Sequence, residues 1–343
     1  MVKIGVIGCG YWGPNLIRNL ALNEKTSIHT LCDTSQEKLN GISKIFPEAY
    51  ATRNAEDVFK DKEIDAVVIA TPAKSHYAFA RKALLCGKHC LVEKPLTLNY
   101  REACLLTALA QKQEKVLMVS HTFLYNAAVR KLRQYIEKGE LGKVLYLYSS
   151  RLNLGVIRRD VNALWNFGPH DISIICYLLN DTPVSLSAKG LKCIHKDLED
   201  VVFLNLDFHK GISAHIHLSW IDPKKVRETV VVGEKKMVIY DDTSPDAKLR
   251  IFEKGFHKIK GHNTVRGCID YGEFQLQLRD GDCLTPKIDF KEPLKEECDH
   301  FLGCIIKGKQ PFTGGENGKL VVRILELAQQ SLDNNSKLVK FKF

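Results

Sequence analysis

The chain has 343 residues, 45% hydrophobic and 26% charged, with a formal net charge of +10; the length suggests two domains or one large one, and the composition suffices for a sizeable core. Its basic residues are dispersed, the densest clusters being pairs such as Lys224-Lys225 and Lys235-Lys236, so the charge argues against nucleic-acid partners and suits an anionic small substrate. No apolar run approaches the ~18 residues of a membrane span, and Met1-Val2-Lys3-Ile4-Gly5 enters a strand at once instead of a signal peptide.

Along the chain, residues 2–8 are an apolar, β-favouring run. Gly8-Cys9-Gly10-Tyr11-Trp12-Gly13 follows, and then a stretch with helical spacing from Pro14 to Leu20. This is a glycine-rich turn between a strand and a helix, the context a dinucleotide needs. Gly8 would allow the tight turn, Gly10 the approach of a pyrophosphate, and Gly13 the close packing of helix on strand. The phosphates would meet free N–H groups at the positive end of the helix. Ser27–Cys32 reads as the second strand, and Asp33, 20 residues after Gly13, stands where a carboxylate would accept the ribose hydroxyls and repel a 2′-phosphate. No arginine follows in Thr34-Ser35-Gln36, which points to NAD rather than NADP. Asp33 could equally cap the next helix.

Helical spacing is expected over 35–46, a strand over 65–70 ending in Thr71-Pro72, and a helix from His76 to about Cys86. The run Cys90-Leu91-Val92 then stops at Glu93-Lys94-Pro95. Pro95 lacks an N–H and biases Lys94 away from helix, so the chain must turn there. Ligands of open parallel sheets sit beyond the carboxyl ends of strands, so Lys94 points where a substrate would lie. A helix over 98–112 and a strand over 116–120 complete an alternation that argues for a doubly wound parallel sheet. After about residue 122 the texture changes. A helix is expected over 126–138, a strand over 143–151, a loop over 153–162 and a helix over 168–180. Strand-like runs at 184–192, 200–208, 212–219, 226–232 and 235–240 then suggest a mostly antiparallel sheet. A broad sheet of this kind needs cover on its second face, and a partner subunit is one solution. Helices return at 293–307 and 316–332.

There are 11 cysteines and no C-x-x-C pair, which fits neither a zinc site nor a disulfide framework. Reduced thiols in a cytoplasmic protein are expected, with Cys32, Cys104 and Cys176 acting as small buried hydrophobes. His215 and His217 share a strand face, but no third ligand accompanies them, so no metal is expected.

Taken together, the glycine-rich turn, Asp33, Ala70-Thr71-Pro72 with His76, Glu93-Lys94-Pro95, Gly168-Pro169-His170-Asp171 and Pro311-Phe312-Thr313-Gly314-Gly315-Glu316-Asn317-Gly318 resemble the glucose–fructose oxidoreductase, inositol dehydrogenase and MocA-like oxidoreductases. The resemblance spans essentially the whole chain. It implies an α/β protein with an N-terminal Rossmann domain (1–122), and a C-terminal α/β domain (123–343) whose large open sheet makes homo-oligomer contacts, in a dimer or tetramer. It implies a tightly held nicotinamide cofactor, contacted by Gly8, Gly10, Tyr11, Trp12, Gly13, Asp33, Thr71, Pro72, His76, Glu93 and Lys94. Lys94 and His170 are implied to act on one substrate hydroxyl or carbonyl. Tyr125-Asn126, the segment Ser149–Gly155 and Leu164–Asp171 resemble most the branch acting on nucleotide-linked sugars, the 3-dehydrogenases of UDP-N-acetylglucosamine-type substrates. Tyr125, Arg151, Arg158, Trp165, Asn166 and His170 are then the candidate substrate contacts, with Arg159 beside them.

Hydride transfer needs a carbinol carbon close to the nicotinamide and a group to take the hydroxyl proton. His170, expected at a helix start, is the candidate base, and Lys94 would stabilise charge developing on the oxygen. Many relatives carry an aspartate where this chain has Asn166, which adds no charge to strengthen His170 as a base. Two rivals remain: the same chemistry on a free sugar or inositol, and a nucleotide-binding sensor without turnover.

Overall fold

The computed structural model describes residues 1–256, 278–279 and 281–341. It divides into two compact units, residues 1–126 with 290–326, and residues 127–289 with 327–343. The sequence pattern predicts one C-terminal domain for everything after 122. In the structure, residues 290–326 belong with the first unit.

The first unit holds six strands, β1 (Val2–Ile7), β2 (Thr26–Cys32), β3 (Tyr50–Thr52), β4 (Ala66–Ile69), β5 (His89–Val92) and β6 (Leu117–Val119), in the order β3-β2-β1-β4-β5-β6. Every pairing is parallel. Helices connect them: α1 (Gly13–Ala21), α2 (Gln36–Ser43), α3 (Ala55–Lys60), α4 (His76–Leu85) and α5 (Tyr100–Lys112). Each strand face is apolar because both are covered. On one face Ile4, Val6, Val68 and Leu91 share a core with Leu16, Ile17 and Leu20 of α1. On the other, Ile7, Val67, Ile69 and Val92 pack with Val58 of α3, Ala80 and Leu84 of α4 and Leu106 of α5. The short β3 and α3 were missed in the sequence, where three residues with two exposed carry no readable alternation.

The second unit begins with α6 (Ala127–Glu137), β7 (Val144–Leu154) and α7 (Ala163–Leu179). There follow β8 (Ser185–Leu191), β9 (Val201–Asp207), β10 (Ser213–Ser219), β11 (Ile221–Gly233), β12 (Met237–Asp241) and β13 (Leu249–Phe252). A two-residue pair, β14 (Gly255–Phe256) with β15 (Leu278–Arg279), stands apart from β16 (Cys283–Leu284). After α8 (Pro293–Lys307) and α9 (Gly315–Asp333), which carries the chain from the first unit's residues to the second's, β17 (Val339–Lys340) ends the described chain. The main sheet runs β16-β13-β12-β11-β7-β10-β9-β8-β17. Only β7 and β10 pair in parallel; the other described neighbours are antiparallel.

One face of this sheet is buried: Ala214, Ile216 and Leu218 alternate inward along β10, which packs on α7. Tyr146, Tyr148 and His215 point to the other face and are exposed. Two sequence expectations shift here. β7 extends to Leu154, and α7 starts at Ala163, capped by the Asn162 side chain, so that Pro169 lies inside it and His170 no longer opens it.

Candidate active site

The strand order of the first unit reverses between β1 and β4, and the crevice at such a reversal is where open α/β sheets bind ligands. The glycine-rich turn leads from β1 into α1 at that point. Gly8 has φ +102°, and a Cβ there would meet the Ala70 carbonyl oxygen at 2.5 Å. A Cβ on Gly13 would lie 2.0 Å from the Gly8 carbonyl oxygen, so only glycine permits this closeness of turn and helix. No side chain caps α1, which leaves its start to an anion. Tyr11 is 95% exposed and Trp12 is exposed beside it. This cradle fits a dinucleotide.

Asp33 follows β2. Its Oδ2 accepts the Cys9 N–H at 2.8 Å and its Oδ1 the Ser35 N–H at 2.9 Å, so the carboxylate is tied to the glycine-rich turn. The cap of α2 is Ser35, not Asp33. Two cations with no sequence signal of their own lie nearby. Arg53 Nε donates to the Thr34 carbonyl at 3.0 Å, and Lys38 Nζ sits 3.7 Å from where a Gly10 Cβ would be. Neither is adjacent to Asp33 in sequence, and Arg53 directly follows β3, a strand too short to show a pattern.

At the end of β4, the Thr71 hydroxyl pairs with Ser75 Oγ at 2.7 Å, and Pro72 precedes a short 3-10 turn. His76 is buried, with Nε2 2.8 Å from the Thr71 carbonyl and Nδ1 2.7 Å from that of Pro95. Both ring nitrogens face backbone carbonyls in place of the expected cofactor contact, and the ring bridges the ends of β4 and β5. Burial holds its pKa below the ordinary value against the two carbonyls, and a neutral ring can donate to only one of them.

Beyond β5, Glu93 is half-buried with Oε1 sealed from solvent, and its Oε2 accepts the Lys94 N–H at 3.2 Å. Burial pushes its pKa up to about 7, against the attraction of Lys94. Lys94 is half-buried and joined to Pro95 by a cis peptide. Nearby, Val119 donates its N–H to the Thr313 carbonyl at 2.8 Å, so the Pro311–Gly318 segment braces β6. Tyr125 is a core residue of this unit, its hydroxyl 2.8 Å from both His300 Nδ1 and Thr313 Oγ1. The Tyr125 hydroxyl, expected at the substrate, thus meets these two partners.

In the second unit, His170, Asn166 and Trp165 are half-buried on α7. Asn166 and His170 lie one turn apart on one face. Trp165 Nε1 donates to Gln329 Oε1 at 3.2 Å, and Asn162 Nδ2 reaches the same oxygen at 2.9 Å. Asp171, 2% exposed, receives Arg151 Nε at 2.6 Å and the Ser149 hydroxyl at 2.6 Å. Arg151 therefore lies in the core, committed to Asp171, in place of the substrate contact expected of it. Alternation along β7 turns Ser149 and Arg151 toward the buried side. Arg158 grips Asp160 with two bonds of 2.8 and 2.6 Å; Arg159 is exposed. The His215 and His217 rings stack on Phe203, and among the described residues no group of three His, Cys, Asp or Glu could hold a metal.

Comparison with known proteins gives a consistent result. A family model described as "Oxidoreductase family, NAD-binding Rossmann fold" matches residues 2–121, and one for the GFO/IDH/MocA C-terminal domain matches residues 129–239. UDP-N-acetylglucosamine 3-dehydrogenase of Acidithiobacillus ferrooxidans is 25% identical over 94% of each chain. Its solved structure superposes with a TM-score of 0.80 at 23% identity, over 97% of each chain. Inositol 2-dehydrogenase 2 of Saccharopolyspora erythraea is 29% identical, but over 63% of this chain and 66% of its own, just under two thirds.

Proposed function

The chain belongs to the GFO/IDH/MocA family of NAD-binding oxidoreductases, and from that premise we propose that it transfers hydride at a secondary alcohol or ketone of a nucleotide-linked sugar. The observation that carries this reading is Lys94, held at the carboxyl end of β5 by the Glu93-Lys94-Pro95 turn, in the sheet whose glycine-rich turn fits a dinucleotide. Bound nicotinamide supplies the hydride acceptor or donor. The chain's residues do the rest. Lys94 donates to the substrate oxygen and stabilises charge developing there. A ring nitrogen of His170 takes the hydroxyl proton, and Asn166 holds a substrate hydroxyl without adding charge. Asp33 receives the ribose hydroxyls and disfavours a 2′-phosphate, which supports NAD. Lys38 and Arg53 are the residues through which NADP would be tolerated.

The full-length likeness to a UDP-N-acetylglucosamine 3-dehydrogenase supports the nucleotide sugar. A free sugar or inositol is the second reading. What favours it is that Arg151 is committed to Asp171 and Arg158 to Asp160, which leaves Arg159 as the loop cation for a diphosphate. The exposed face of the second sheet supports docking of further copies of the chain, in a dimer or tetramer. A cytoplasmic setting fits the ten cysteines among the described residues, all free thiols. Cys32 and Cys176 are buried as expected, whereas Cys104 is half-buried. Among those residues no helix is long and apolar enough to cross a membrane.

The test is nicotinamide absorbance with NAD and NADP against UDP- and dTDP-linked sugars, free sugars and inositols. Turnover confined to nucleotide sugars supports the proposal. Turnover confined to polyols replaces it with the second reading. No turnover and no retained cofactor on denaturation would favour a sensor.

A further inference from the structure

Glu297 stands on α8, within the first unit, and is 0% exposed. The Ser120 hydroxyl lies within reach of both Glu297 and Glu93, and the Thr122 hydroxyl within reach of Glu297. Even so, neither carboxyl oxygen of Glu297, and not Oε1 of Glu93, meets a hydrogen bond of good geometry. Glu297 and the Oε1 side of the half-buried Glu93 are thus shut in near each other with too few donors for two negative charges. The titratable neighbours are few. Lys94 follows Glu93 and attracts its charge, Cys298 adjoins Glu297 on α8, and His121 sits 1% exposed beyond β6. The His121 Nδ1 is 2.6 Å from Asn317 Oδ1, and burial pushes its pKa down to about 4, with Lys94 adding to that. His121 is therefore neutral and supplies no balancing charge.

We propose that Glu297 is a positioning residue for Lys94: it shares one proton with Glu93 across the Ser120 hydroxyl, so that the buried pair presents a single negative charge beside the Lys94 ammonium. The inference rests on the dehydrogenase reading for its catalytic consequence, but not for the state of the pair. Burial pushes the Glu297 carboxyl up to about 8, with Glu93 adding to the rise. The two acids titrate as a unit. When the second proton leaves, a second negative charge appears next to Lys94. The ammonium is then held more strongly by the acids and is less available to the substrate oxygen, so the rate falls on the alkaline side.

Glu297→Gln keeps the shape and remains neutral. Two measurements test it. The first is kcat against pH: the wild type loses rate through pH about 8 while the variant does not, a roughly tenfold difference one unit above that value. The second needs no substrate. An acid whose folded pKa is raised adds stability that is full below its unfolded pKa of about 4.3 and is lost as pH rises through the folded value. The wild-type melting temperature should therefore fall between pH about 5 and 8, and Glu297→Gln should flatten that fall. An unchanged slope overturns the proposal even if the protein is an active dehydrogenase; a flattened slope in a protein without turnover upholds the shared proton and refutes the enzyme reading alone. Should the variant not fold, 13C-carboxyl-labelled glutamate in the wild type, followed by NMR, serves instead. Two coupled carboxyls titrating near neutrality support the proposal, and ordinary acidic titrations of both refute it.

Discussion

Arg151 carries its charge at 5% exposure, met by Asp171 and flanked by Ser149. Removing one partner of such a pair strands the other, and that penalty exceeds the net worth of the pair. Arg151→Ala should therefore cost about 3–5 kcal/mol, visible as a lower urea midpoint, because the buried Asp171 loses its balancing charge and keeps only the Ser149 hydroxyl. Lys94 behaves differently, being half-buried at a strand end. Lys94→Ala should lower kcat by roughly 10²–10³-fold, with NAD affinity, read by fluorescence titration, changed far less. Retained kcat would remove Lys94 from the chemistry. The two residues also differ in legibility. Lys94 could be placed from local chain chemistry, since an apolar strand followed by proline has to turn. The partner of Arg151 lies 20 residues away, and only the pairing of β7 with its neighbours turns the arginine inward.

At the scale of elements, the turn from β1 to α1 was readable because its constraint is local: glycines where backbone must pass backbone. Gly13→Ala would push a Cβ against the Gly8 carbonyl, which is backbone and cannot rotate away. Overpacking of this kind costs about 1–3 kcal/mol, which should appear as ~10–100-fold weaker NAD binding by calorimetry. The start of α7 was harder to read. Proline is a poor interior residue, which favours a helix beginning near Gly168-Pro169-His170. The structure begins it five residues earlier because Asn162 caps Trp165 N–H at 3.1 Å, and Ala163, Leu164, Gly168 and Ile172 bury one continuous face. Packing along the whole face outweighs one interior proline. As a result His170 shares a helix face with Asn166.

For the whole molecule, the informative segment is 290–326. Leu294, Cys298, Phe301 and Leu302 of α8 belong to the same core as Leu16, Ile17 and Leu20 of α1. Arg18 holds Glu292 at 2.5 Å, and α8 places Glu297 against the residues after β5 and β6. A fragment ending at residue 122 should therefore fail to melt cooperatively by circular dichroism, although it contains every strand of the parallel sheet. Phe301→Ala in the full chain should cost about 3–5 kcal/mol, as expected for a large side chain removed from a packed core.

What the sequence determined by itself was whatever depends on neighbours along the chain: the alternation of strand and helix that makes a Rossmann sheet, the glycine-rich turn, Asp33 at the end of β2, and the abrupt turn that presents Lys94. Each follows from backbone sterics or from apolar periodicity, which act over a few residues. Tertiary structure alone decided which polar groups are free to do chemistry. It committed Arg151 to Asp171, His76 to two carbonyls and Tyr125 to His300 and Thr313, and it brought Glu297 to Glu93 across some two hundred residues of chain. The physical reason is that a buried polar group must find its partner in space, and nothing in its sequence neighbourhood says which partner that will be.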